Sequence, residues 1–456
     1  MTKTDEILKY WDLGSNGKGE LLAGGSSCIQ LANDYGTPLH VVHEERLSNT
    51  CISFLENIWK YPGKTSVHFA FKCNPVPGII RIIRSTSIKA EVMSEFELNL
   101  ALDLGYQGND IVVNGPFKTD SLIRSCLANG IRLINVDSVS ELERIISISK
   151  SLGKNADVLL RINPDFIPSG MNRGSAAADR KRSPFGLDLK NGEVRLALGI
   201  IKRSGEIRFR GFHLHIGSGI RNVSEFGKAI LKIRPAINEA ERSGFETEML
   251  DVGGGLGVPD SREMTSFELL KYQAIDQLPR SDGSKLHISF GEYADSVINA
   301  VSFIFRNRNL PELIFEPGRC IASPNQLLLL RIHQVKERHN ARKWWITDAG
   351  IGTLTMPTFY EHHRVILCND VRRRVSEKVT ISGPGCFSAD VVYRNIPMPP
   401  AKAGELIAIL DSGAYFTSWE SSFGFPRPAI VSVLNGRPRL LRRRETFNDM
   451  VSRDLI

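Results

Sequence analysis

The sequence predicts an α/β protein built as a closed (β/α)8 barrel with a mostly β domain after it. From about residue 67, short apolar runs alternate with stretches whose apolar residues recur every three or four positions, and they do so eight times. After about residue 325 that helical spacing stops, and short strand-like runs are separated only by turns. A chain of 456 residues is long enough for one large domain and a second. The expected boundaries are 44–325 for the barrel, with 1–43 and 326–456 forming the β-rich domain.

The first barrel strand is VHFAFK (67–72). Val67, Phe69 and Phe71 alternate with His68 and Ala70, and Cys73-Asn74-Pro75 stops the run. Lys72 stands at its end. Either the strand meets water there, or an amine is held at the mouth of a pocket, ready to condense with an aldehyde. The strands KAEVMS (89–94), DIVVNG (110–115), RLINVDS (132–138), DVLLRIN (157–163), FRGFHLHIGSG (209–219), EMLDVGGG (248–255) and ELIFEPGR (312–319) follow in order. Intervening segments such as EFELNLALDLG and SVSELERIISISKSLG have the spacing of amphipathic helices. Polar and glycine residues gather at the C-terminal strand ends: Lys72, Ser94, Asn114, His215, Ser218, Gly253 to Gly255, Glu316 and Arg319. In a (β/α)8 barrel those ends form the active-site face. Beyond residue 325, QLLLLRIHQV, RKWWITDAG, HRVILCN, KVTISGPGC, ELIAILDSG and AIVSVLNG read as strands. The early TPLHVVH (37–43) is a candidate to join their sheet.

Hydrophobic residues make up 42% of the chain and charged residues 24%, as in a soluble globular protein. No uninterrupted apolar segment approaches ~20 residues, so no membrane span is expected. The N-terminus lacks an apolar signal core, and a cytoplasmic location is expected. The seven cysteines are scattered without a CxxC pair, which argues against a disulfide framework and against a metal site of the zinc type. Part of the net charge of +8 lies in Arg372-Arg373-Arg374 and in RPRLLRRRE (437–445). No recognition motif accompanies these runs. A solvated face, or attraction of anionic small molecules, is expected rather than nucleic acid.

Three motifs bear on chemistry. LDVGGGLG (250–257) brings three glycines together after an apolar run, where backbone N–H groups can approach an anion. It fails the dinucleotide fingerprint because position 258 is Val258, and a compact phosphate cradle on a barrel loop fits better. HLHIGSG (213–219) places His215 at a strand end before a glycine turn and Ser218. It is either a structural histidine or a flat ring for stacking on an aromatic ligand. EPGR (316–319) is either a salt-bridged turn or a carboxylate able to hold a proton on a pyridine nitrogen beside an arginine able to bind phosphate or carboxylate.

FAFKCNP, HIGSG, DVGGG, EPGR, GPGCFSAD (383–390) and GAYFTSWESSFGFPRP (413–428) occur in one order from about residue 30 to the C-terminus. Together they resemble the fold-type III pyridoxal-phosphate decarboxylases, the diaminopimelate, ornithine and arginine decarboxylase group, and most closely the diaminopimelate branch. The resemblance implies an alanine racemase-like barrel that binds pyridoxal 5'-phosphate and a homodimer with shared active sites. Lys72 then matches the lysine that forms the imine with the cofactor, Glu316 the acid at the pyridine nitrogen, and His215 the residue stacked on the ring. Ser218, Gly253, Gly254, Gly255, Gly318 and Arg319 match phosphate-side positions, with Arg319 also near substrate carboxylate. Tyr415 matches a tyrosine that contacts the cofactor. Cys386 matches a proton donor contributed by the second subunit.

Two departures bear on the substrate. Diaminopimelate decarboxylases usually have an acidic residue directly after the motif cysteine, where this chain has Phe387, and an arginine where it has Met356. Tyr360 still matches, and Glu361 lies where the ornithine branch has an acid for a distal amine. An uncompensated charge in such a pocket costs about 3–5 kcal/mol. The expectation is therefore an α-decarboxylase of a modified or conjugated amino acid, such as a natural-product precursor. The alternatives are decarboxylation of meso-diaminopimelate itself, an amino-acid racemase on a similar barrel, and a non-catalytic homologue acting through a protein partner. Racemases of this kind usually place arginine at the ring nitrogen, so Glu316 speaks for decarboxylation.

Overall fold

The computed structural model describes residues 3–169, 171, 177–279 and 288–455. They form two compact units. One contains Cys51–Gly257 and Ile288–Cys320, and the other contains Met1–Thr50, Val258–His287 and Ile321–Ile456.

The first unit is the barrel. Its strands are β1 (Thr65–Ala70), β2 (Lys89–Val92), β3 (Ile111–Val113), β4 (Leu133–Val136), β5 (Ala156–Asn163), β6 (Ile207–His213), β7 (Met249–Asp251) and β8 (Glu312–Phe315). Each pairs in parallel with the next, and β8 closes on β1 with Leu313 opposite Thr65. Parallel strands covered on both faces are near-continuously apolar, as in β3 and β4, where every residue is buried. Four of the barrel helices begin on hydroxyl caps placed just before the helical run. Ser94, Thr119, Ser138 and Ser289 accept from the backbone N–H groups of Glu97, Leu122, Glu141 and Glu292. Ser94, one of the polar strand-end residues, is thus engaged in capping. Inside the barrel, Val112, Leu133, Leu159 and Ile314 pack with Met249 in one apolar layer. Each lies two residues before a polar strand-end residue, so the pleat turns both to the same face.

Gly211 in β6 shows why one position tolerates no side chain. Its φ is 148°, and a Cβ there would lie 1.9 Å from the Met249 carbonyl oxygen of β7. A bulge in the β5–β6 pairing falls at the same place.

The second unit contains a nine-stranded sheet. Gln326–Lys336 is its longest strand and pairs antiparallel with Lys343–Thr347, Leu406–Ile409 and Leu39–His43. The early TPLHVVH segment therefore joins this sheet, also running parallel to Ala429–Leu434. Two apolar cores cover the sheet, one around Leu39, Leu327, Leu406 and Val431, the other around Leu330, Trp345, Ile381 and Phe416. Within the same unit, Arg262–Glu263 forms a short antiparallel ladder with Glu361–His362, which ties the 258–279 excursion to the sheet unit.

Candidate active site

Each barrel strand carries a polar side chain within two residues of its C-terminal end. In strand order these are Lys72, Glu91, Asn114, Asn135, Arg161, His213, Asp251 and Glu316. All but Lys72 are buried, and the Lys72 side chain is 33% exposed. Lys72 sits in a single 3-10 turn, Phe71–Cys73, whose other two residues are fully buried. The turn anchors the amine at the rim while its stem leaves the strand. Lys72 Nζ lies 2.5 Å from Glu91 Oε2. Asn114 Nδ2 donates to Glu91 Oε1 (2.9 Å) and to Glu316 Oε1 (2.6 Å). Asn135 Nδ2 donates to Asn114 Oδ1 (2.6 Å) and to Asp251 Oδ2 (3.3 Å). His213 Nε2 approaches Glu316 Oε2 at 3.5 Å, a contact at charge-pairing range but too long for a good hydrogen bond.

These carboxyl groups do not titrate alike. Burial pushes Asp251 well above the ordinary carboxylate range, and the neighbouring charge of Glu316 pushes it further. Burial acts on Glu316 in the same sense, but it is outweighed by His213, by the Lys72 ammonium and by a hydrogen bond from Asp251, and Glu316 is held well below its usual range. Within the pair, Asp251 is the acid favoured to stay protonated and Glu316 the one favoured to carry charge. That suits Glu316 to hold a proton on a facing ring nitrogen.

The ends of β6, β7 and β8 form a phosphate-compatible rim. Gly253 has φ 66°, and a Cβ there would lie 2.7 Å from the Leu214 carbonyl. A Cβ on Gly254 would lie 2.1 Å from the Glu316 carbonyl. These loops pack backbone against backbone, which only glycine permits. Gly254 N–H donates to His215 Nδ1 at 3.3 Å. The imidazole must therefore accept at Nδ1 and carry its proton at Nε2. Burial, with the like charges of Arg161 and Lys72, pushes His215 down to about 3, so the ring is neutral. Arg319 Nε donates to Ser218 Oγ at 3.4 Å, bringing together two of the expected phosphate ligands. Gly318 packs closely on Cys73, next to Lys72, with a Cβ position 3.0 Å from the Cys73 Cβ.

In the sheet unit, the GPGCFSAD loop folds around one carboxylate. Asp390 Oδ1 accepts from Ile351 N (2.7 Å) and Oδ2 from Gly385 N (2.9 Å). The loop presents Cys386, which is exposed, and Phe387, 47% exposed and edge-on to Phe423 at 6.2 Å. Tyr415 has φ 67°, unusual for an aromatic residue and a mark of an imposed position. The Tyr360 backbone carbonyl accepts from Met264 N. Glu361 turns inward, is 2% exposed and meets His363 Nε2 at 3.0 Å, a placement that does not favour a distal substrate amine. The side chain of Met356 lies outside the described residues.

Five ring members, Glu91, Asn135, Arg161, His213 and Asp251, escape the sequence reading. Their signal is a single polar residue inside an otherwise apolar strand, as in KAEV, LINV and LLRIN.

A barrel with a reachable lysine, a buried acid held ionised, a neutral imidazole and a glycine-lined, arginine-flanked rim is the donor set a pyridine aldehyde phosphate requires. The pyridoxal-dependent decarboxylase models match accordingly, the pyridoxal-binding domain over residues 47–323 and the C-terminal sheet domain over 320–413. The chain belongs to the pyridoxal-dependent decarboxylase family, and its cofactor is pyridoxal phosphate. It is 31% identical to the diaminopimelate decarboxylase of Methanocaldococcus jannaschii over 96% of this chain and 95% of that one. It is 29% identical to that of Bacillus subtilis over 96% of each. A crystal structure of the M. jannaschii enzyme superposes with a TM-score of 0.86 at 30% identity, covering 98% of this chain and 99% of that one. Its complex with L-lysine gives 0.85 at 30% identity, covering 97% and 98%.

Proposed function

We propose that this chain removes one α-carboxylate from meso-diaminopimelate, working as a cytoplasmic homodimer. Near full-length likeness to diaminopimelate decarboxylases carries this reading. L-lysine, bound in one of those relatives, is what diaminopimelate becomes on losing a carboxylate. When bound, the cofactor supplies an aldehyde for the substrate amine and a ring that accepts the electrons left behind by carbon dioxide. Lys72 would hold the cofactor aldehyde. Glu316, buried and held below its usual range, would keep a proton on the ring nitrogen. His215, a neutral imidazole, would face the ring. Ser218, Gly253, Gly254, Gly255, Gly318 and Arg319 hold the phosphate side, Arg319 also facing a substrate carboxylate, and Tyr415 makes a further contact. Cys386 reaches the site of the other subunit and returns a proton to the α-carbon.

A second reading keeps the same chemistry on a conjugated amino acid. It rests on Phe387, an exposed aromatic where an acidic residue would meet a distal ammonium. None of the relatives named above supports it. Carbon dioxide release from meso-diaminopimelate, lysine, ornithine, arginine and N-acyl conjugates separates the two. Rapid turnover of meso-diaminopimelate alone is expected; conjugates turned over with diaminopimelate inert would replace the first reading by the second.

A further inference from the structure

Asn114 stands where two buried acids meet. Its one amide nitrogen donates to Glu91 Oε1 at 2.9 Å and to Glu316 Oε1 at 2.6 Å, and its oxygen accepts from Asn135 at 2.6 Å. The last bond fixes the orientation of the amide, because reversing it would set N–H against N–H and oxygen against two carboxylate oxygens. Both oxygens of Glu91 are then engaged, Oε1 by Asn114 and Oε2 by Lys72. The result is a continuous chain of hydrogen bonds from the Lys72 amine, through the Glu91 carboxylate and the Asn114 amide, to Glu316, the acid assigned to the ring nitrogen. Asn114 is 6% exposed and Asn135 1%, so both donors lie in the buried interior of the site.

We propose that Asn114 is a positioning residue for the decarboxylation: by sharing one amide between Glu91 and Glu316, it couples the cofactor-binding lysine to the acid that faces the cofactor nitrogen. The inference rests on the functional reading above. Without the amide, two carboxylates face each other in a buried site with one donor fewer each. Their charge must then be relieved by protonation, and the acid at the ring nitrogen is the one whose ionisation the cofactor needs.

The test uses the full-length protein as Asn114→Asp and Asn114→Ser. The first keeps the shape and replaces the shared donor by a third acid, and the second removes the bridge while leaving a hydroxyl. Pyridoxal phosphate affinity is measured by titration, and the visible absorbance of the bound cofactor is followed from about pH 6 to pH 9. Affinity is expected to fall about tenfold or more in both, the range for losing a hydrogen bond to a charged group. The absorbance is expected to change with pH more strongly than that of wild type measured alongside, a change that mere loosening of the fold would not produce. Variants that bind like wild type and give superimposable absorbance curves would overturn the inference while leaving the function intact. Wild-type protein that takes up no pyridoxal phosphate would overturn both. Failure of both variants to fold without cofactor, read by circular dichroism melting, would also contradict a role confined to positioning.

Discussion

Burial works against the charge on Glu316, while Lys72, His213 and the proton of Asp251 work for it. Substituting Glu316→Gln leaves a group of the same size that cannot balance a protonated ring. It should lower kcat by about two orders of magnitude or more while leaving the KM for the amino acid nearly unchanged, as steady-state kinetics would show. Much of this was legible in the sequence. Lys72, His215 and Glu316 each end an apolar run with a residue a strand does not need. Glu91, Asn135 and Asp251 lie inside such runs. In sequence they read as single polar interruptions, and only barrel closure turns them toward one point.

At the scale of the element, a buried ion pair supports the rim between β3 and β4. Lys118 is fully buried and reaches Glu141 Oε2 at 3.0 Å and the carbonyls of Gly115 and Asn135 at 2.9 and 2.7 Å. Lys118→Met would leave Glu141 buried without its cation. A loss of about 3–5 kcal/mol is expected in urea unfolding of the holoenzyme. In the sheet unit, Asp411 is buried beneath Trp11, whose Nε1 donates to it at 2.7 Å. Burial pushes its carboxyl up to about 6 from 3.8. The folded chain thus binds a proton that the unfolded chain releases between those values. Stability contributed by this group is full below about pH 4, falls as the pH rises toward 6, and is constant above it. Asp411→Asn should therefore raise the Tm at pH 8 and leave it little changed at pH 4, by a difference of about 3 kcal/mol at most. The short ladder between Arg262–Glu263 and Glu361–His362 had no counterpart in the sequence reading, because two-residue strands carry no periodicity.

For the whole molecule, the basic runs at 372–374 and 437–445 find partners within the chain. Arg373 pairs with Glu405, Arg372 with Asp370, Arg442 with Glu420 and Arg443 with Asp449. Part of the positive charge in these runs is thus paired within the chain. No helix among the described residues is long and apolar enough to cross a membrane. The alternation of strands and helices made the barrel legible, and the loss of that alternation marked the sheet domain. The excursion at 258–279 was hidden because it lies inside the barrel's sequence and packs in the other unit. Active sites shared between subunits, as proposed above, would have a direct consequence. Mixing Lys72→Ala with Cys386→Ala protein, each inactive alone, should restore up to about a quarter of wild-type activity, since mixed dimers hold one intact site. Equal inactivity of the mixture, with subunit exchange verified by mass, would place Cys386 outside the partner's site.

Reduction of the cofactor-loaded enzyme with borohydride, followed by peptide mapping, tests the central claim most directly. One pyridoxyl adduct is expected, on the peptide containing Lys72. An adduct on a different lysine, or none, would contradict it.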